Sequence, residues 1–157
     1  MNVYLENFVQ KKFKKSGKAL DLGAGKFFDV ACLKQLGWEC NGVDKNTGVD
    51  LEKLYISNKK PFDLVYSNYV VQFISNKQIF ISTCWNNLKK NGWLFLHTFD
   101  MTDKSCKSNI DKQKIIKILK KQGFKNITKK VFSFYDNALK HKHWHKILEI
   151  TAQKIIK

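Results

Sequence analysis

A chain of 157 residues that is 43% hydrophobic and 13% aromatic has enough apolar material for one packed core. This excludes an intrinsically disordered protein and leaves 1–157 to be read as a single domain. Its formal charge of +16 is carried by lysine alone, with 29 basic residues, none of them arginine, against 13 acidic ones; such a surface attracts polyanions without the planar fork that reads phosphate or guanine.

No apolar run approaches the roughly 18 residues that cross a bilayer. Met1 to Lys18 lacks the apolar stretch and small-residue cleavage site of a signal peptide, so a cytoplasmic protein with no membrane partner is expected. Cys32, Cys40, Cys84 and Cys106 show no metal-type spacing and read as reduced, buried thiols.

Apolar residues at Val3, Leu5, Phe8, Val9 and Phe13 predict an opening helix over Val3 to Lys15. Ala19 to Leu22 reads as a strand, and Lys26 to Leu36 as a helix closed by Gly37. Trp38 to Asp44 is a second strand, Val49 to Leu51 a very short third, and Phe62 to Ser67 a continuous apolar strand of the doubly covered kind. Ser75 with Gln78 forms a capping box for a helix that runs through Leu88 and stops at Gly92. Trp93 to Phe99 is the next strand, Asp111 to Gln122 a helix ended by Gly123, and strands around Ile127 to Tyr135 and Trp144 to Ala152 close the chain. The expected fold is α/β, a Rossmann-like, doubly wound, mostly parallel seven-stranded sheet with a C-terminal antiparallel hairpin.

The most informative stretch is Asp21-Leu22-Gly23-Ala24-Gly25 at the end of the first strand. Glycines between a strand and a helix bring bare backbone close to a ligand, and the nearby carboxylate suits a cationic or hydroxyl-bearing part of it. The dinucleotide fingerprint fails, because Phe28 occupies its third glycine position; the phosphate loop fails because Phe27 follows Gly25-Lys26.

The set resembles the class I S-adenosylmethionine-dependent methyltransferases. Asp21 with Gly23-Ala24-Gly25 matches their first motif and Asp44 in Gly42-Val43-Asp44 their second. Phe62 to Asn68 matches their fourth strand, and Leu88-Lys89-Lys90-Asn91-Gly92 the turn before their fifth. The compact form is most similar to the tellurite-resistance and small-molecule methyltransferase groups. Two departures stand out: Phe27 replaces a frequent third glycine, and only 63 − 44 = 19 positions separate Asp44 from Asp63.

The resemblance implies S-adenosyl-L-methionine as cofactor, with Asp21, Gly23, Ala24 and Gly25 bordering its methionine and ribose. It further implies Asp44 on the ribose hydroxyls, Asp50 and Leu51 at the adenine, and Asn68 facing the reacting centre. Asn68 lacks the two following prolines of enzymes that methylate amino groups of bases. No metal is expected.

His141, His143 and His145 alternate and share one face of a strand, opposite Trp144, Leu148 and Ile150. They read as a metal cluster, as acceptor-pocket bases or as a solvated strand start, with His143 and His145 the better pocket candidates. Tyr69, Gln72 and Phe73 read as core or as shapers of the acceptor site. The leading expectation is methyl transfer to a small molecule. A nucleic-acid methyltransferase holding its substrate on the lysine-rich surface, and a non-catalytic cofactor-binding module, are the alternatives; the oligomeric state is open.

Overall fold

The computed structural model describes the chain apart from residues 107, 109, 139, 140 and 157 and the side chains of 138 and 141. Ten elements follow in order: α1 (Val3–Lys12), β1 (Lys18–Leu22), α2 (Phe28–Gln35), β2 (Glu39–Val43), β3 (Phe62–Asn68), α3 (Lys77–Asn87), β4 (Leu88–Phe99), α4 (Lys112–Gln122), β5 (Lys125–Ala138) and β6 (His141–Gln153). The strands form one sheet in the order β2-β1-β3-β4-β6-β5. The first four are parallel, while β6 runs antiparallel to both β4 and β5.

Alternation along the strands sends successive side chains to opposite faces. Ala19, Leu64, Tyr66 and Phe95 pack under Leu5, Phe8 and Val9 of α1 and Val30 and Leu33 of α2. Leu20, Val65, Leu94, Leu96, Leu148 and Ile150 pack against Phe80, Ile81 and Cys84 of α3 and Ile115 and Leu119 of α4. Burial on both faces is why β3 reads as an unbroken apolar run.

The seventh strand expected at Val49–Leu51 is absent, so the sheet has six strands among the described residues. After Asp44 the chain makes a 3-10 turn, Lys45–Thr47, and Gly48 reverses it at φ 85°. The Asp50 carboxylate then accepts the Glu52 N–H at 3.0 Å. These local bonds outcompete a ladder. The segment hydrogen-bonds to α3 instead: Tyr55 N–H to Thr83 Oγ1 at 3.1 Å, and Ser57 N–H to Asn87 Oδ1 at 2.8 Å.

Other boundaries move for identifiable reasons. Helix α1 stops at Lys12, and α2 starts at Phe28 because Phe27 is left-handed. Asn76, not Ser75, caps α3, its side chain accepting from Ile79 N–H at 3.1 Å; the Ser75 and Asn76 N–H groups are held by Glu52. Leu88 already belongs to β4, so Gly92 sits inside a strand, where an added Cβ would lie 3.1 Å from the Phe62 carbonyl oxygen. Asp111 caps α4 as expected, and Gly123 ends it at φ 107°.

Candidate active site

Leu22 ends β1, and the next two N–H groups, of Gly23 and Ala24, both donate to the Val43 carbonyl at 2.8 and 2.9 Å. This clamps the turn to the end of β2. A Cβ on Gly23 would meet Val70 Cγ2 at 2.3 Å, whereas one on Gly25 would meet nothing within 4 Å. Bare backbone at Gly25 therefore faces open space. Phe27 closes the turn at φ 60°, a conformation that costs a non-glycine residue roughly 1–2 kcal/mol. Its ring, with Ala24 and Val30, fills the space above Gly42, where an added Cβ would meet all three at 2.7–2.9 Å. The position thus keeps the backbone of a third glycine, and ring packing offsets the strain.

Beside this turn lies a cavity of about 410 Å³, inside the size range of small-molecule sites. Of the candidate site residues, Gly23, Asp44, Asp50, Leu51 and Asn68 line it. Val49, Val70 and Ile74 add apolar walls that the sequence did not single out.

Asp44 is a cap as well as a wall. Its Oδ2 accepts from Gly25 N–H and its Oδ1 from Asn46 N–H, both at 3.0 Å. A carboxylate has roughly four acceptor positions, so two are left for ligand hydroxyls.

Asp21, Ala24 and Gly25 are not cavity walls. Asp21 is buried on the α1–α2 side, near the Tyr66 hydroxyl. Burial, then the nearby Asp29 and Asp44 carboxylates, push its pKa up to about 8, with the Tyr66 hydroxyl working in the opposite direction.

At the end of β3, Asn68 Nδ2 donates to Asp29 Oδ2 at 2.8 Å, and Asp29 Oδ1 accepts the Asn2 N–H at 2.8 Å. The Asn2 side chain in turn reaches His97 Nδ1 at 3.1 Å. Two atoms of this network, Asn68 Oδ1 and His97 Nε2, are buried with no partner. Burial lowers the His97 pKa to about 4, so the ring is neutral, stacked on Tyr4 with centroids 5.1 Å apart. Neither Asp29 nor His97 carries a local signal; only the fold joins them to Asn68.

Tyr69 follows in the left-handed region at φ 58°, a strain that collects at functional sites. Burial first, then Tyr4, Asp136, Asp29 and Cys106, raise its pKa to about 12. Phe73 is not core but 76% exposed. It borders both the main cavity and a second hollow of about 200 Å³, whose other walls among the described residues are Gln72, Phe99, Cys106 and Ser108.

His143 and His145 share one face of β6, as the alternation predicts, with ring centroids 4.4 Å apart. His145 is 6% exposed, which removes the solvated-strand reading for it. Its Nδ1 lies 3.1 Å from Asp103 Oδ2, and its ring lies 4.8 Å from that of Phe99. The metal-type grouping places Asp103, Cys106 and His145 together, with ligating atoms within 4.8 Å of one another, rather than three histidines. The His141 side chain lies outside the described residues. No helix is long and apolar enough to cross a membrane among the described residues.

Solved structures share this architecture. A SAM-dependent methyltransferase from Methanosarcina mazei superposes with a TM-score of 0.76 at 12% identity, over 96% of this chain and 98% of the other. One from Archaeoglobus fulgidus gives 0.70 at 16%, over 97% and 92%. Phosphoethanolamine N-methyltransferase 2 of Haemonchus contortus, in complex with S-adenosyl-L-methionine, gives 0.73 at 16%, over 99% of this chain and 53% of the other. At these identities the likeness is one of fold. No curated protein sequence matches the chain. The family model described as a methyltransferase domain matches residues 4–144. With the glycine turn and Asp44 set together at the carboxyl ends of its parallel strands, the chain belongs to that methyltransferase family and is a class I S-adenosylmethionine-dependent enzyme.

Proposed function

We propose that residues 1–157 act as one cytoplasmic catalytic domain that methylates a small-molecule acceptor. The observation that carries this reading is the second hollow, which shares Phe73 with the main cavity and has no charged residue among the described residues of its walls. A pocket of that size and lining suits a small neutral molecule better than a polyanion. The Haemonchus contortus enzyme, also solved with phosphomonomethylethanolamine and S-adenosylhomocysteine, supports a small-molecule acceptor, although its own is charged.

The residues fit the donor. The partnerless Asn68 Oδ1 and the spare acceptor positions of Asp44 match its ammonium and ribose hydroxyl groups in chemistry, and the turn at Gly25 leaves room beside them. Asp44 would hold the ribose, and Asp50 and Leu51 the adenine, against Val49 and Ile74. Gly23, Ala24 and Gly25 would border the methionine portion, with Asp21 buried behind them. When bound, the donor supplies a methyl group already activated on a sulfonium, so the protein's work is alignment and exclusion of water. Asn68 would stand at the reacting centre, with His143 and His145 on the acceptor side.

Calorimetry with S-adenosylmethionine, followed by a panel of small amines, thiols and phenols assayed for S-adenosylhomocysteine, tests this. Absence of donor binding, or binding unaffected by Asp44→Ala, would overturn it.

One observation favours a nucleic-acid acceptor. Trp144 is 64% exposed and pairs with the 44%-exposed Tyr135 at 5.2 Å on a lysine-rich hairpin, a surface on which bases stack. RNA binding that survives physiological salt with a steep salt slope would favour that reading.

A further inference from the structure

Asp103 and His145 are 42 residues apart, one in the loop after β4 and the other in β6. The fold buries both, at 7% and 6% exposure. The Asp103 carboxylate is fully engaged. Oδ1 accepts the N–H groups of Ser105 at 2.8 Å and Cys106 at 2.6 Å; Oδ2 accepts the Lys146 N–H and faces His145 Nδ1 at 3.1 Å. Burial opposes ionisation, but these donors outweigh it and hold the Asp103 pKa below the usual carboxylate range. An ionised carboxylate only accepts, so the proton on the imidazole belongs on Nδ1 and the lone pair on Nε2.

The ring lies against two of the five residues that wall the second hollow. Phe99 is 4.8 Å away between centroids, and Cys106 is in the same group of atoms lying within 4.8 Å of one another. Also near it among the described residues are His143 on its own strand, with ring centroids 4.4 Å apart, and its register partner Phe134 on β5. A buried imidazole oriented by a carboxylate, directly behind two walls of a hollow with no charged residue among its described lining, is the arrangement of a general base with its positioning residue.

We propose that His145 is the proton acceptor for the methyl acceptor and that Asp103 positions it, which makes the substrate a neutral molecule with a removable heteroatom proton: a thiol, phenol or amine. For a thiol or phenol the Nε2–H bond forms as the heteroatom–hydrogen bond breaks, and the electron pair left on the heteroatom attacks the methyl carbon; a neutral amine attacks with its own lone pair, and His145 takes the proton that the methylated nitrogen then loses. The proton then leaves His145 for solvent. This rests on the small-molecule reading above.

The test has a ligand-free arm. In protein labelled with ¹⁵N-histidine, His145 should show the Nδ1–H tautomer, lost in Asp103→Asn, whose amide still caps the loop but no longer fixes the proton. An Nε2–H tautomer in the wild type, or no change in Asp103→Asn, overturns the proposal whether or not an acceptor has been found. Stoichiometric Zn²⁺ uptake by the full chain, abolished by Cys106→Ser, also overturns it, because the three side chains would then be metal ligands. With any thiol, phenol or amine that turns over, His145→Gln should lower kcat/KM by roughly 10²- to 10⁴-fold and remove the acidic limb of its pH profile. Its affinity for S-adenosylmethionine should stay unchanged. Loss of donor binding in the wild type would count against the proposed function and leave the tautomer result standing.

Discussion

Asn68 Nδ2 donates to Asp29 Oδ2 at 2.8 Å, and this bond leaves Asn68 Oδ1 as a buried acceptor with no partner at the end of β3. A hydrogen bond from a cationic group to such an atom is worth roughly 1.5–3 kcal/mol. Asn68→Ala should therefore weaken S-adenosylmethionine binding by about 10- to 100-fold in calorimetry. A change below about threefold would show that the amide oxygen takes no part.

Asp21 sets a pH dependence. Its pKa is raised in the folded state to about 8 from 3.8, so between those values the folded chain holds a proton that the unfolded chain has released. Stability must then fall as pH rises from about 4 towards about 8. Asp21→Asn removes that loss: its melting temperature should exceed the wild type's above pH 8 and match it near pH 4. A variant less stable at both ends would contradict the sign. Any cation that settles beside Asp21 should also release a proton, readable as a dependence of the binding heat on the buffer's ionisation enthalpy.

Gly42 is required by its neighbours rather than by its own backbone. A methyl group there would meet Ala24 Cβ at 2.7 Å and Phe27 Cε1 and Val30 Cγ2 at 2.9 Å. Gly42→Ala should cost about 1–3 kcal/mol in urea unfolding and loosen the donor turn, since Phe27 and Ala24 belong to it. A stable variant with normal donor affinity would show that the turn yields freely.

Lys154 anchors the far end of the molecule. Its ammonium donates to the carbonyls of Trp85 and Leu88, both at 2.7 Å, and lies 5.0 Å from the Trp85 ring centre. It caps the last turn of α3. Lys154→Met, which keeps the stem and removes the charge, should lower stability by about 1–3 kcal/mol without altering donor affinity. Chemical denaturation and calorimetry separate the two effects.

The parts of this protein legible in its sequence are those written in short-range pattern. The strand–glycine–helix turn, Asp44 at the end of β2 and the reversed final hairpin all lie within one or two elements. Longer-range relations could not be read that way. The bond between Asn2 and Asp29 spans 27 residues and that between Asp103 and His145 spans 42; no periodicity encodes either pair. Two misreadings have local causes. Val49 to Leu51 has strand-like composition, but Gly48 and the Asp50 side chain turn it into a loop. Ser75 has a capping residue's chemistry, yet its N–H is committed to Glu52 and the cap passes to Asn76. Phe73 reads from the sequence as core or as a shaper of the acceptor site, and the fold excludes only the first, leaving the ring exposed beside both hollows.

The missing third strand changes how the cavity opens. Asp50, Leu51 and Glu52 form a wall fastened to the start of α3 through the Glu52 carboxylate, which holds the Ser75 N–H at 2.6 Å and the Asn76 N–H at 3.2 Å. A strand in that place would be zipped into the sheet and would move only with it. Here the wall is held to the start of α3 by side-chain hydrogen bonds instead of a ladder. Amide exchange at Ser75 and Asn76 reads those two bonds directly, and Glu52→Gln, which takes the charge off their acceptor, should speed it at both positions.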